Sequence, residues 1–257
     1  MSRLYPEDIS DIIDIRNNWI DPNPPPIVEM HHGFHVVRDD LLGYGSKTRF
    51  IDYLVKTTKC DEWVFGGANK VGWGPISLTY VCNLYGKKAT FFMAKRKEPT
   101  WHQQKVLDLG GTIHWVDNGM LTVTKARARR YQEEDTKHRQ CLPLGLEHPS
   151  VLASIVKVAI DLKIEPTEIW TVASSGTLNR GLQMAFPEVP AYAVEIGHKM
   201  SDYEKGRAIT MCSPYKYDQA VEEDQAPPYP SEKYYDAKLW QFVVSSGKPG
   251  ALIWNVA

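Results

Sequence analysis

From residue 34 onward, the sequence alternates between short apolar runs and longer amphipathic stretches. The runs are rich in β-branched and aromatic residues, which is typical of buried strands, and the stretches between them carry apolar residues at helical spacing. Strands are therefore expected at 34–37, 62–65, 89–93, 112–116, 168–173, 191–196 and 251–256. Because strands that alternate with helices form βα units, the sequence predicts an α/β fold with open, mostly parallel twisted sheets and helices on both faces.

Three of the connecting helices have clear boundaries. One follows Ser46, one ends at Gly86, and one covers 148–163. Prolines at 24–26 separate a leader helix from the first strand. The segment 200–231, which is rich in acids and tyrosines, interrupts the alternation, and we expect it to be a long surface excursion.

Charge and cysteine usage exclude several classes of protein. The chain has 257 residues, with 30 Lys and Arg against 31 Asp and Glu, so no global field attracts nucleic acid or acidic lipid. The four cysteines lie far apart without a CxxC pair, which fits neither a zinc site nor a disulfide scaffold, and no metal is expected. The N-terminus lacks a secretory h-region and no apolar run approaches a membrane span of about 18 residues, which favours a cytoplasmic protein with reduced thiols.

Lys47 lies where a glycine-containing turn enters a helix, within the segment 39–55. A P-loop requires glycine directly before the lysine and five residues earlier, but this chain has Ser46 and Leu41 there. A lysine at the end of the strands of an α/β sheet can be partly desolvated, which lowers its pKa. Its amine can then form a Schiff base with a carbonyl cofactor. The alternative is an ordinary exposed lysine.

Two loops that follow predicted strands are candidates for ligand binding. In 172–181, small residues end a strand and begin a helix, so backbone N–H groups at Ser174–Thr177 could bind a phosphate. The alternative there is a plain helix cap. Glycines in 66–74 permit a ligand to approach the backbone closely, although a flexible βα loop has the same composition.

The C-terminal segment combines a helix, a glycine turn and a final strand. Tyr235 and Asp236 stand at the start of that helix. A carboxylate in this position can serve a site, or it can simply stabilise the helix N-terminus.

In this order, the segments resemble the fold-type II pyridoxal-phosphate (PLP) enzymes, whose fold is like that of the tryptophan synthase β chain. The similarity is greatest to the 1-aminocyclopropane-1-carboxylate deaminase and D-cysteine desulfhydrase group. The family motif RDDLL…GGNKxRKLEYL runs parallel to 38–42 and 45–54, with Lys47 in the place of the Schiff-base lysine. The strand at 109–117, the helix at 234–239 and the closing strand at 250–256 also resemble family segments.

The resemblance implies a set of site residues. The family's phosphate-binding turn corresponds to Ser174, Ser175, Gly176 and Thr177. Tyr235 corresponds to an active-site tyrosine, and Asp236 to the glutamate that faces the pyridine nitrogen. A carboxylate there keeps the nitrogen protonated and strengthens the ring as an electron sink, which favours lyase or deaminase chemistry at the α- or β-carbon of an amino acid.

The substrate loop departs from the family. The family's QSNH loop is replaced by 68–74, so that Asn69, Lys70 and Trp73 stand where the amino-acid carboxylate is bound. The resemblance further implies a homodimer. It also implies an N-terminal leader at 1–33 and a PLP-binding unit at 34–257, with a reduced small domain inserted around 60–125.

Two other interpretations stay open. Basic runs at 95–97 and 125–139 could contact a phosphate backbone. In that case the enzyme, for example a decarboxylase, would act on an amino acid attached to a nucleobase, as in viral DNA hypermodification. Acids interrupt the second run, so a solvated helix face is the simpler interpretation. The third possibility is a non-catalytic relative that binds a ligand without turnover.

Overall fold

The computed structural model describes residues 9–67 and 72–257, which form two compact units. The first unit combines the described residues up to Gly43 with Glu147–Ala257, and the second consists of the described residues within Tyr44–Leu146. The second unit is therefore an insertion in the first, and its bounds are wider than the expected 60–125.

The described residues form strands and helices in alternation. The strands are β1 Val28–His31, β2 Phe34–Arg38, β3 Glu62–Gly66, β4 Lys88–Ala94, β5 Thr112–Val116, β6 Arg139–Cys141, β7 Ile169–Ala173, β8 Ala191–Glu195, β9 Ile209–Cys212 and β10 Leu252–Asn255. The α-helices are α1 Ile9–Asn18, α2 Lys47–Thr57, α3 Gly74–Leu84, α4 Trp101–Asp108, α5 Leu121–Glu133, α6 Pro149–Asp161, α7 Thr177–Ala185, α8 Asp202–Lys205 and α9 Trp240–Ser246. Short 3-10 turns cover Asp39–Leu41, Leu144–Leu146, Glu223–Gln225 and Asp236–Leu239.

The first unit is built on a six-stranded sheet in the order β1-β2-β10-β7-β8-β9. All neighbouring pairs are parallel except β1 and β2, which are antiparallel. The central strands are buried along their whole length, as expected for parallel strands covered on both faces. On one face, Trp170, Val194 and Ile253 share a core with Leu239 and Val243.

The second unit has a four-stranded parallel sheet in the order β5-β4-β3-β6. Val64 and Phe92 pack against Ala128 of α5 in one of its cores. Trp63 and Phe91 are also almost fully buried. Among the described residues, no helix has both the length and the apolar character needed to cross a membrane.

The predicted fold class is confirmed. Each of the seven predicted runs matches a strand to within one residue at either end, and the three predicted helices are α2, α3 and α6. The strands that the prediction lacked are β1, β6 and β9, each at the edge of a sheet. These three strands are short and partly exposed, and they carry no continuous apolar run. Consequently, part of the expected leader at 1–33 belongs to a sheet, and part of the expected excursion at 200–231 is α8 and β9.

Candidate functional site

In open parallel sheets, ligands bind at the carboxyl ends of the strands. In the first unit this edge carries the loop after β7, the segment after β8 and the segment after β9. The β7 loop contains the predicted phosphate-binding turn.

The turn at Ser174–Thr177 leads directly from β7 into α7. Gly176 has φ of +73° and caps the helix, and a Cβ built on it would lie 2.1 Å from the carbonyl oxygen of Glu204. Only glycine combines this conformation with this close approach. The hydroxyl oxygens of Ser175 and Thr177 lie 3.3 Å apart beside the positive end of α7. The turn is therefore a polar cup with the chemistry of an anion site.

A short strap, residues 200–207, runs along α7 and holds the cup in place. The Nδ2 of Asn179 donates to the carbonyl oxygen of Lys205 at 3.0 Å. The Nε2 of Gln183 donates to the same carbonyl at 2.9 Å, and the Arg207 N–H donates to Gln183 Oε1 at 2.8 Å. Because these bonds join the strap to two successive turns of α7, the C-terminal end of the strap is anchored on the helix that follows the cup.

Tyr235 and Asp236 are brought to the same edge of the sheet. The phenol of Tyr235 lies close to the backbone of Ser174, which brings together two segments that the sequence singled out separately. Burial raises the pKa of Tyr235, as do Asp236 and Tyr217, while the nearby backbone of Ser174 lowers it in part. Asp236 is buried in the first turn of its 3-10 helix, and its Oδ2 accepts the N–H of Ala257 at 3.2 Å.

Sequence reasoning missed a cavity of about 300 Å³ beside this cluster. It lies at the carboxyl ends of β8 and β9, and Glu195, His198, Cys212 and Tyr217 are among its lining residues. The wall containing Tyr217 is held by Lys238, which is fully buried and donates to the carbonyl oxygen of Tyr217 at 3.3 Å. Burial lowers the pKa of Lys238. Nothing in the spacing of the sequence distinguishes this buried lysine from an exposed one.

Lys47 is the first residue of α2 in the second unit. It is half-buried, and its Cδ would lie 3.7 Å from a Cβ placed on Gly74, the first residue of α3. Gly45, with φ of +80°, leads into the helix beside Trp73. The buried face of α2 contains the apolar residues expected from the sequence, namely Phe50, Ile51, Leu54 and Val55. The methylene chain of Lys47 is thus held between the starts of two helices.

Of the predicted substrate-binding residues, Trp73 lies beside this lysine in the second unit, whereas Asn69 and Lys70 lie outside the described residues. No group of three or more His, Cys, Asp or Glu in the described ranges 9–67 and 72–257 could hold a metal ion.

The chain is similar in structure to several solved proteins. A crystal structure of an ACC deaminase homologue superposes with a TM-score of 0.77 at 13% identity, over 95% of this chain and 93% of that one. Serine racemase from Dictyostelium discoideum gives a TM-score of 0.68 at 12% identity, over 97% of this chain and 96% of that one. Diaminopropionate ammonia lyase from Escherichia coli, in its apo form, gives 0.65 at 11% identity, over 96% and 86% of the two chains.

The sequence matches no family model and no curated protein. The structural similarities confirm the fold that the sequence resemblance implied, and the chain has the fold-type II architecture of these structures.

Proposed function

We propose that this protein is a PLP-dependent enzyme, a lyase or deaminase that acts at the α- or β-carbon of an amino acid. The observation that carries the proposal is the junction of β7 and α7. There the cup at Ser174–Thr177 meets the phenol of Tyr235 at the carboxyl edge of the sheet.

The residues at this junction fit the cofactor's phosphate. Ser175 and Thr177 provide hydroxyl donors, and Gly176 lets the backbone turn towards a ligand. The positive end of α7 favours a dianion. Because the strap fixes α7, these donors are positioned before the phosphate arrives, which reduces the ordering cost of binding.

When bound, PLP supplies an electron sink for negative charge that develops at the α-carbon of the substrate. The buried carboxylate of Asp236 would accept a hydrogen bond from the pyridine nitrogen and favour its protonated form. The phenol of Tyr235 is protonated at neutral pH, and its raised pKa keeps it so, which leaves an O–H that could donate a hydrogen bond to the substrate.

Lys47 would provide the amine to which the cofactor attaches, and the same amine would move a proton at the substrate carbon once it is released. Its methylene chain lies against Gly74, which limits the positions that the amine can reach. Trp73, together with Asn69 and Lys70, would contact the substrate.

The test is an absorbance scan with PLP before and after borohydride reduction, followed by peptide mapping. We expect the reduced label on Lys47, and we expect Lys47→Ala to lose both the absorbance band and the label. Lys56→Ala is the matched control, because Lys56 is exposed at the other end of α2. A label on another lysine, or turnover by Lys47→Ala, would refute the assignment. Binding of PLP by dialysis without any label would favour a non-catalytic relative.

A second candidate function is action on an amino acid attached to a nucleobase, and one observation favours it. Exposed basic side chains follow β4 and also occur along α5; they are Arg96, Lys97, Lys125, Arg127, Arg129 and Arg130. None of these forms an ion pair with another residue of the described ranges, whereas neighbouring Lys95 pairs with Asp117 at 3.0 Å. Cations without acidic partners are available to phosphates.

The experiment is DNA binding measured by fluorescence anisotropy between about 50 and 200 mM salt. Each phosphate neutralised should contribute about −0.9 to the slope of log K against log salt. A double variant, Arg129→Glu with Arg130→Glu, should flatten the slope, while Lys59→Glu, an exposed lysine elsewhere in the second unit, should not. Absence of binding at the lowest salt would remove this candidate. The homodimer stays a prediction, which light scattering can test.

A further inference from the structure

An aromatic cluster packs against the turn that precedes Lys47 within the second unit. A Cβ on Gly45 would lie 3.3 Å from the indole of Trp73, and the ring centroid of Trp73 lies 5.7 Å from that of Trp101. The next residue, His102, packs edge-on against both indoles. The cluster therefore extends from the turn before Lys47 to the start of α4.

Trp101 is unusual in being both fixed and exposed. It is the first residue of α4, which begins with a capping box formed by Thr100 and Gln103, so its backbone is held in place. Its side chain is nevertheless 60% exposed. A large aromatic ring held rigidly in water loses little conformational freedom when a partner covers it, which is the property of a binding anchor.

The same face of α4 carries a positive charge. Lys105 lies one turn after Trp101, and its Nζ is 5.7 Å above the ring of Tyr44. Tyr44 is itself stacked on Tyr80, with ring centroids 4.1 Å apart. The surface thus combines an exposed ring with a nearby cation.

We propose that Trp73 and Trp101 form an aromatic platform that binds a planar aromatic ring carried by the substrate, with Lys105 near a negative charge on the same molecule. The inference rests on the proposed function, since it names the class of substrate that Lys47 would meet. Two sources of such a ring are an aromatic amino acid and a nucleobase. The platform requires the planar ring in both cases.

The first arm of the test uses the PLP-loaded full chain and compares L-phenylalanine with L-cyclohexylalanine, which has a saturated ring of similar size. Binding is followed by the change in cofactor absorbance. We expect phenylalanine to bind about 10-fold more tightly, because only a flat ring can stack. Trp101→Ala should abolish that preference and Trp101→Phe should keep most of it. Trp115→Ala is the matched control, because Trp115 is also exposed, at 38%, but lies on the edge strand β5.

The second arm uses tryptophan fluorescence and needs no cofactor. AMP, which carries a ring and a phosphate, is compared with ribose 5-phosphate, which carries only the phosphate. Saturable quenching by AMP that Trp101→Ala removes would support the platform and identify a nucleobase as an acceptable ring. Preference for phenylalanine without quenching by AMP would support the platform with an amino-acid ring.

Equal affinities for the two amino acids, together with quenching that Trp101→Ala does not change, would overturn the platform. Failure of the proposed function is seen separately, as absence of the cofactor absorbance band. In that event phenylalanine is titrated in the fluorescence arm, which still decides on the platform.

Discussion

Replacement of Gly176 by alanine tests whether the cup and the strap form a single rigid structure. The new Cβ would lie 2.1 Å from the carbonyl oxygen of Glu204, although ordinary contacts begin near 3.4 Å. Either the strap or the start of α7 must therefore move by more than ~1 Å. Alanine at positive φ costs about 1–2 kcal/mol, and overpacking of this kind adds about 1–3 kcal/mol. We expect a total loss of about 2–5 kcal/mol in the free energy of unfolding.

Two other glycines of the first unit separate these contributions. Gly33 also has positive φ, at +82°, but a Cβ there would meet only Pro249 at 3.8 Å. Gly33→Ala should therefore cost only the conformational part, about 1–2 kcal/mol. Gly43 has open space around it and no positive φ, so Gly43→Ala should be close to neutral or stabilise by about 0.4–1 kcal/mol.

The assay is urea denaturation of the three variants, followed by tryptophan fluorescence, together with the affinity for PLP. Gly176→Ala should also weaken PLP binding, because displacement of α7 moves the hydroxyls of Ser175 and Thr177, while the other two variants should not. If Gly176→Ala were no more destabilising than Gly33→Ala, the strap would not be packed rigidly against the cup, and the phosphate site would not be preformed.

Three further predictions test local features. Glu195→Gln should accelerate labelling of Cys212 by a disulfide reagent at about pH 8, because the hydrogen bond and the charge of Glu195 raise the pKa of that thiol. An unchanged rate of labelling would contradict the contact between Glu195 and Cys212. Burial raises the pKa of Tyr229 above its ordinary value of 10.0, so its contribution to stability is complete below pH 10 and declines above it. Tyr229→Phe should accordingly reduce the loss of unfolding free energy between about pH 9 and 11, and an unchanged pH profile would refute this explanation. Thr100→Ala should destabilise the second unit by about 1 kcal/mol, because the α4 cap is lost, whereas Thr100→Ser should keep the cap. Urea denaturation measures both variants, and equal losses of unfolding free energy would contradict the capping role.

The strands that could be predicted are those with continuous apolar runs. β7 and β10 are buried along their whole length, and burial of that kind leaves a direct mark in the sequence. β6, with the sequence RQC, has no such mark, because it is paired on one side only and carries polar residues. Its assignment as a strand depends on pairing with β3, which is distant in the chain.

The residues of the candidate site likewise divide into those that the sequence could predict and those that it could not. The turn at Ser174–Thr177 could be predicted, because small residues and a glycine between a strand and a helix determine its local conformation. Lys47 could be placed at the start of a helix for a similar reason. The burial of Lys238 and the exposure of Trp101 could not, because neither follows from the neighbours of a residue in the chain.

The sequence by itself determined the alternation of the seven apolar strands with helices, the α/β class and the glycine-containing turn before α7, since these depend on the period of apolar residues and on glycine at defined positions. Only the tertiary structure decided that Tyr235 contacts Ser174, that residues 200–207 bind along α7, and that Trp101 stays uncovered. These features depend on which distant segments the sheets bring together. Strand order and side-chain contacts arise from packing of the whole chain, and local periodicity carries no information about them.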